Sequence, residues 1–343
     1  MRRLLLCLSF ALSLAGSLSA SAQTLVNGAG STFIFPLASK WFSEYAAIDP
    51  GVRFNYQSIG SGAGIRQVID RTVDFGASDA PLTDAQLATA PDLLHVPATL
   101  GAVAVAYRLP GNPALRLSAE TLAGLYLGEI SSWDDPRVAN DNPGVALPKL
   151  AVTVVHRSDG SGTSAIFTDY LAKVSPTWAA KVRHGTAVHW PVGLGGKGNE
   201  GVSGQLSQIP GSVGYVELAY AAQNRLPVAK LRNRAGAWVS PTVESTSAAA
   251  RASSIPKDLR VSLTDSPGAD AYPIVGFSYL LVHRDQTDPV KGPALARFLE
   301  WALHAGQKDA PALLYAPLPA NVVALDEEVL RQLTLNGRPL PIR

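Results

Sequence analysis

The chain contains 343 residues, of which 47% are hydrophobic and 16% are charged, and its formal net charge is +2. This composition is typical of a globular protein and lacks the basic excess on which nucleic-acid binding depends, so nucleic acid is excluded from the expected partners. At about 100–200 residues per domain, the length predicts two domains.

The N-terminal segment 1–22 has the pattern of a secretory signal peptide. Arg2 and Arg3 precede a mostly apolar run, and small residues follow as far as Ala22. The run is too short to remain as a membrane-spanning helix, so we expect cleavage after Ala22 and a soluble mature chain in the periplasm. Loss of this segment removes both arginines, which lowers the net charge from +2 to 0, and the only cysteine, Cys7.

Short β-rich segments alternate with helical patterns along the rest of the chain. The β-rich segments lie at 52–56, 73–77, 103–107 and 150–155, and helical spacing occurs at 121–127, 165–171 and 294–303. This alternation predicts an α/β fold with mostly parallel sheets. Segment 233–257, rich in Pro, Ser, Thr and Ala, is predicted to be either poorly structured or a loop with one helix.

Two glycine-rich turns precede predicted helices in the first quarter of the chain. The turn at 27–33 ends in Thr32, the expected N-cap of the following helix, and the turn at 59–64 leads to a helix expected near Ile65. A helix start has about four unpaired N–H groups and a partial positive charge, so each turn is a candidate anion site. The alternative for each is a tight turn with a helix cap, and Ser61 is either a cap or a ligand donor.

A third turn, at 154–164, follows a predicted strand and opens another helix. Arg157 provides planar paired donors for an oxyanion, and Ser161 and Thr163 provide hydroxyls. Asp159 is expected to accept from Arg157 and to hold its guanidinium in place. The alternative is an Asp-Gly turn with an N-cap and a surface arginine.

Asp79 follows the predicted strand at 73–77, at a position where α/β proteins often place ligand contacts. A carboxylate suits an anion site only when the anion carries a proton. Phosphate near neutral pH keeps at least one P–OH, which can donate to a carboxylate, whereas sulfate has none and is rejected by the missing hydrogen bond. The alternative is a turn or cap residue before the Ala-Pro pair that follows.

Five motifs of this sequence resemble, in order, those of the periplasmic phosphate-binding proteins of phosphate-specific ABC transporters. They are GAGSTF at 28–33, DFGASDAP at 74–81, DGSGTS at 159–164, WPVGLGGKGN at 190–199 and GYVE at 214–217. The resemblance covers essentially the whole mature chain and implies a type II periplasmic binding protein, with two α/β lobes, a two-strand hinge and the ligand in the cleft. It divides the chain into a signal peptide at 1–22, lobe I at 23–98 plus 274–343, and lobe II at 99–273.

The resemblance implies high-affinity binding of inorganic phosphate in the periplasm and its delivery to the permease subunits of a membrane ABC transporter. It implies no enzymatic activity and no cofactor, and we expect a monomer. Carried over at matching positions, the phosphate-binding residues are Thr32, Phe33 through its backbone, Ser61, Asp79, Arg157, Ser161, Gly162 and Thr163, together with Asp159, which orients the arginine.

Three positions depart from the family pattern. Ile34 and Phe35 replace a Pro-Ala pair, Gly62 and Ala63 replace a Ser-Gly pair, and His156 stands where a second arginine is familiar. None removes a side chain assigned to the ligand. The change at His156 is expected to weaken steering of the anion, and the change at Gly62 to remove a hydroxyl near the site.

Other functions remain open from the residues themselves. A phosphatase or secreted serine hydrolase is disfavoured because Ser161 lacks the Gly-x-Ser-x-Gly spacing and the six histidines are scattered, with none in a metal-ligand spacing. A GxGxxG match at 193–198, followed by Glu217, is a weak indication of nucleotide binding. Among binding proteins, the alternative ligand is another tetrahedral oxyanion such as sulfate or molybdate, against which Asp79 discriminates; arsenate is expected to compete.

Overall fold

The computed structural model describes residues 23–340, where strands and helices alternate as predicted. The strands are β1 (Thr24–Gly30), β2 (Val52–Ser58), β3 (Phe75–Ser78), β4 (Leu93–Tyr107), β5 (Arg116–Leu117), β6 (Thr153–Arg157), β7 (Leu194–Gly196), β8 (Ser212–Glu217), β9 (Lys230–Arg232), β10 (Trp238–Val239), β11 (Val275–His283), β12 (Asp285–Gln286), β13 (Thr334–Leu335) and β14 (Arg338–Pro339). The α-helices are α1 (Phe35–Ile48), α2 (Ser61–Ile69), α3 (Asp84–Thr89), α4 (Ala119–Tyr126), α5 (Pro136–Asp141), α6 (Gly162–Val174), α7 (Pro176–Lys181), α8 (Gly198–Gln208), α9 (Leu218–Gln223), α10 (Val243–Arg251), α11 (Lys291–Leu303) and α12 (Ala320–Leu330). Two 3₁₀-helices lie at Ala305–Asp309 and Pro311–Leu313.

The predicted signal peptide at 1–22, with Cys7 and the cleavage site after Ala22, lies outside the described residues, as do the last three residues of the predicted lobe I. Each predicted strand and helix overlaps an element of the structure, with the ends displaced by up to about four residues, except that β4 begins at Leu93, well before the predicted start at 103. Segment 233–257 contains the helix α10, which begins with a capping box at Thr242, so a loop with one helix is the arrangement found. Among residues 23–340, no helix combines the length and apolar character needed to cross a membrane.

The long strand β4 joins two half-sheets into one eight-stranded sheet of order β2-β1-β3-β11-β4-β8-β6-β7. Its first part, Leu93–Ala102, pairs antiparallel with β11, and its second part, Val103–Tyr107, pairs antiparallel with β8. Outside these central strands the neighbours β1–β2, β1–β3, β6–β7 and β6–β8 are parallel. The sequence of β4 is an almost continuous apolar run and is buried on both faces, as is typical of a central strand.

We call the elements around β2, β1, β3 and β11 lobe I, and those around β8, β6 and β7 lobe II. The two-lobed α/β architecture agrees with the predicted fold class. The predicted limits between the lobes, near 98 and 274, lie close to the point at which β4 changes partner from β11 to β8 and to the start of β11, and they stay a prediction.

Each lobe has an aromatic cluster beneath the turns of interest. In lobe I the ring centroids of Phe54 and Phe298 are 4.3 Å apart. In lobe II Phe167 on α6 stacks on Tyr215 of β8 at 4.2 Å, and the Tyr215 hydroxyl accepts the backbone N–H of Arg157 at 3.1 Å. This packing fixes the end of β6, from which the third turn begins.

Candidate anion-binding site

The three glycine turns and Asp79 follow the carboxyl ends of β1, β2, β6 and β3, and they meet between the lobes. The Gly62 N–H of lobe I donates to the Gly160 carbonyl of lobe II at 2.9 Å. A Cβ atom at Gly62 would lie 3.2 Å from Gly160 Cα, so the absence of a side chain permits this close approach. The departure at Gly62 thus lies at the contact between the two lobes.

The first turn is not capped as the sequence predicted. Helix α1 begins at Phe35 after Ile34, with no side-chain cap, so the assignment of Thr32 as N-cap is wrong. The reason is that Thr32 Oγ1 accepts two hydrogen bonds from Asn199 of lobe II, one from the backbone N–H at 3.2 Å and one from Nδ2 at 2.8 Å. Thr32 is buried, and its hydroxyl lies at the contact between the lobes.

The second turn starts its helix earlier than expected. Helix α2 begins at Ser61 rather than near Ile65, because Gly60 adopts a left-handed φ of 91° that turns the chain directly into the helix. Ser61 does not cap this helix. Its Oγ accepts the Asp79 N–H at 3.3 Å and lies 3.4 Å from Asp79 Oδ2, so the hydroxyl belongs to the carboxylate's surroundings.

Asp79 is buried, with 3% of its surface exposed. The hydroxyls of Ser31 and Ser278 donate to its Oδ1 at 2.5 and 2.7 Å, whereas Oδ2 has only Ser61, at the long distance of 3.4 Å. Burial raises the pKa of Asp79 to about 6, although these hydroxyls and the charge of Arg157 act to lower it. Two hydrogen bonds thus hold the carboxylate at Oδ1, and Oδ2 can still accept a hydrogen bond.

The third turn contains a forked ion pair between Arg157 and Asp159. Arg157 Nε and Nη2 donate to the two carboxylate oxygens at 2.7 and 2.6 Å, which confirms the predicted contact. Burial acts to raise the pKa of Asp159, but the hydrogen bond and charge of Arg157 lower it overall. Arg157 is only 3% exposed, so the alternative of a surface arginine is wrong.

The start of α6 combines a helix cap with a close approach to lobe I. Ser161 Oγ accepts the Ser164 N–H at 3.0 Å, as an N-cap does, and its own hydrogen remains free to donate elsewhere. A Cβ atom at Gly162 would lie 2.5 Å from both Asp79 Oδ2 and Ser61 Oγ. Only glycine therefore allows this helix terminus to face the carboxylate.

Two residues that hydrogen-bond to the candidate site, Asn199 and Ser278, were not predicted from the sequence. Asn199 contacts both Thr32 and Thr163. It ends the WPVGLGGKGN motif, so the sequence marked its segment but did not indicate what the asparagine contacts. Ser278 lies within the buried strand β11, about 200 residues from Asp79, and no local pattern marks it.

His156 lies beside the site rather than in it. Its ring stacks on Trp190, with centroids 4.8 Å apart, and burial lowers its pKa, so the imidazole is uncharged near neutral pH. A neutral ring at this position supplies no positive charge to the cleft. The expected effect on steering of the anion stays a prediction.

The geometry of the described residues does not support the catalytic and nucleotide-binding alternatives. Ser161 has no histidine within hydrogen-bonding distance in the part of the chain that the structure describes. The same residues contain no group of three or more His, Cys, Asp or Glu side chains arranged to hold a metal ion. The GxGxxG segment forms the short strand β7 and the start of α8, and Glu217 is a buried helix cap that accepts the Ala219 N–H at 2.8 Å.

Comparison with known proteins shows the class of protein to which the chain is similar. Residues 17–305 match the family model of the PBP superfamily domain. A high-affinity periplasmic phosphate-binding protein, PfluDING, solved with bound phosphate, has a TM-score of 0.70 at 22% identity, covering 92% of this chain and all of the solved one. The phosphate-binding protein from Stenotrophomonas maltophilia has a TM-score of 0.68 at 20% identity, covering 90% of this chain and 93% of its own. These structures establish the two-lobed fold.

Sequence relatives give the particular family. The chain is 45% identical over 304 residues to the phosphate-binding protein PstS of Xylella fastidiosa (strain 9a5c), covering 87% of this chain and 82% of the relative. It is 44% identical over 311 residues to PstS of Pasteurella multocida (strain Pm70), covering 90% of each. The chain belongs to the PstS family of phosphate-binding proteins, and these relatives are binding proteins, not enzymes.

Proposed function

We propose that the protein binds inorganic phosphate between its two lobes and delivers it to the permease subunits of an ABC transporter for import. The observation that carries the proposal is a buried carboxylate, Asp79, whose Oδ2 has only one long contact, with Ser61, and which lies beside a buried arginine and several hydroxyls. The arginine and the hydroxyls donate hydrogen bonds to the negative oxygens of an oxyanion, and the carboxylate accepts a hydrogen bond from a P–OH group.

The donor side of the proposed site comes from both lobes. Arg157, Ser161, the Gly162 N–H and Thr163 approach from lobe II, and Thr32, Phe33 and Ser61 approach from lobe I. The Phe33 N–H donates to Ser31 Oγ at 2.9 Å, so its proposed bond to phosphate requires that this hydrogen be shared or redirected. Asp159 contributes by holding the guanidinium of Arg157 in a forked pair.

Asp79 provides the proposed selectivity. Its Oδ1 is occupied by two hydroxyl donors, so Oδ2 is the oxygen that would accept from a P–OH group. Sulfate brings no hydrogen and would place its charge against an unpaired carboxylate, whereas arsenate is protonated as phosphate is and should compete.

We further propose a periplasmic location, supported by the signal-peptide pattern at 1–22 and by the family. The division into lobe I at 23–98 plus 274–343 and lobe II at 99–273 is proposed because β4 changes partner from β11 to β8 after Ala102 and β11 begins at Val275. Closure of the lobes would remove water from the anion and present a liganded shape to the transporter. A monomer suffices for this role.

Isothermal titration calorimetry tests the ligand. The chain, expressed with its own leader and freed of bound phosphate by a scavenging enzyme, is titrated with phosphate and then with sulfate at pH 7. One-to-one phosphate binding without sulfate binding supports the proposal. A folded protein that does not bind phosphate refutes it, and a preference for sulfate retains the fold but overturns the ligand.

A further inference from the structure

Asn199 lies at the start of α8 and is completely buried at the contact between the lobes. Its Oδ1 accepts the Glu217 N–H at 2.9 Å. Its Nδ2 donates to Thr32 Oγ1 in lobe I at 2.8 Å and to Thr163 Oγ1 in lobe II at 3.2 Å. The amide therefore uses both of its hydrogens on two hydroxyls that the proposed function assigns to phosphate.

The direction of these hydrogen bonds is fixed by Glu217. A backbone N–H can only donate, so the amide oxygen of Asn199 must face it, and the NH₂ group must face the two threonines. The threonine oxygens are consequently acceptors in both contacts.

Each of these hydroxyls has its acceptor capacity filled by N–H groups. Thr32 Oγ1 accepts from the Asn199 backbone and Nδ2, and Thr163 Oγ1 accepts from Asn199 Nδ2 and from Arg157 Nη1 at 3.2 Å. A hydroxyl has two lone pairs and one hydrogen, and N–H donors cannot accept that hydrogen. Both hydroxyl hydrogens must therefore be donated in another direction.

We propose that Asn199 is a positioning residue that makes Thr32 and Thr163 obligate donors to the bound anion. This inference rests on the proposed phosphate site and adds a residue to it that does not touch the ligand. Since Thr32 belongs to lobe I and Asn199 to lobe II, the Thr32 hydroxyl is fixed in this way only when the lobes are in contact. The site thus acquires one of its donors as it closes.

A purely structural role is the competing explanation, because Asn199 also ties α8 to the end of β8. Asn142 is a matched control within lobe II. It is likewise buried, its Oδ1 accepts the Arg116 N–H at 2.8 Å, and its Nδ2 donates to the carbonyls of Arg116 and Val138, both at 2.8 Å. It makes the same number of side-chain hydrogen bonds and contacts no residue of the proposed site.

The test measures phosphate affinity by calorimetry for wild type, Asn199→Ala and Asn142→Ala, with the melting temperature of each. Loss of two oriented donors to a charged ligand predicts about 10- to 100-fold weaker binding for Asn199→Ala. Asn142→Ala should lose melting temperature but keep its affinity within about threefold. Equal affinities for the two variants would overturn the proposal. Absence of binding by the wild type would instead refute the proposed function.

Double-mutant cycles separate orientation from packing. In the isosteric backgrounds Thr32→Val and Thr163→Val, one hydroxyl is already gone, so the affinity loss caused by Asn199→Ala should shrink by about threefold or more in each. An unchanged loss in both backgrounds would show that Asn199 does not act through the hydroxyls. Should Asn199→Ala fail to fold, Asn199→Leu keeps most of the buried volume and undergoes the same cycles.

Discussion

Replacing Asp79 by Asn tests how the site distinguishes a protonated oxyanion from an unprotonated one. The two side chains have nearly the same shape. Because the hydroxyls of Ser31 and Ser278 donate at 2.5 and 2.7 Å to Oδ1, the amide oxygen should take this position and the NH₂ group the position of Oδ2. The atom that would accept a hydrogen from phosphate is then replaced by one that donates.

The expected change in selectivity is large. An unpaired P–OH in a buried site costs about 1–3 kcal/mol, which weakens phosphate binding by about 5- to 150-fold. Sulfate gains an N–H donor and loses an opposing buried charge, so its binding should improve by a similar factor. The preference for phosphate over sulfate should therefore fall by the product of the two factors, from about 25-fold to about 20,000-fold.

The pH dependence of sulfate binding provides an independent signature. Burial raises the pKa of Asp79 to about 6, so the wild-type carboxyl becomes protonated below this pH and can donate to sulfate. Sulfate binding by the wild type should strengthen as the pH falls through about 6, and the Asp79→Asn variant should lack this change.

Calorimetry with phosphate, arsenate and sulfate between pH 5 and pH 8 is the assay. Asp326→Asn is the control, because Asp326 is a buried carboxyl on α12, outside the proposed site. The reasoning is refuted if Asp79→Asn keeps wild-type phosphate affinity and still rejects sulfate at every pH.

Three further substitutions have defined outcomes. Arg157→Lys replaces the planar guanidinium, held in a forked pair by Asp159, with a single ammonium group, so calorimetry should show about 10- to 100-fold weaker phosphate binding, and loss of this buried pair should also lower the melting temperature. Gly162→Ala places a Cβ atom 2.5 Å from the Asp79 carboxylate and should weaken binding at least as much, whereas Gly204→Ala, which meets no atom within 4 Å, should leave affinity unchanged. Asp326→Leu should stabilise the protein at pH 7, because neither carboxylate oxygen has a hydrogen bond and burial raises the pKa well above 3.8. The contribution of protonated Asp326 to stability is fully present below its ordinary pKa and is lost as the pH rises. The pH-dependent part of the gain measured by denaturation, at most about 4 kcal/mol at pH 7, should therefore vanish near pH 4 and leave only the part that comes from removing an unpaired polar group. A gain that does not depend on pH would contradict this account.

Local sequence patterns predicted most of the fold and part of the candidate site. The apolar run at 103–107 and the glycine turns depend on residues close together in sequence, so a strand and helices are present there, although the exact starts of α1 and α2 differ from those predicted. The contact between Arg157 and Asp159 was also predictable, because two residues separated by one position at the end of a strand can meet without long-range information.

The remaining features depend on contacts between distant segments. Thr32 has the residue type of an N-cap, and only its hydrogen bonds to Asn199, 167 positions away, explain why it does not cap α1. Ser278 contacts Asp79 because β11 pairs with β3 in lobe I. The sequence of neither strand predicts this pairing. Site residues whose positions depend on the order of strands in the sheet are therefore the ones that the sequence alone does not predict.

The sharing of β4 between the half-sheets has a consequence for hydrogen-deuterium exchange. The strand changes partner from β11 to β8 between Ala102 and Val103 without leaving the sheet, so its amides stay paired if the lobes separate. Their exchange should report only global unfolding. The Gly62 amide, which is paired with the opposite lobe, should exchange whenever the lobes separate, so the ratio of its intrinsic to its observed exchange rate would give the free energy of separating the lobes.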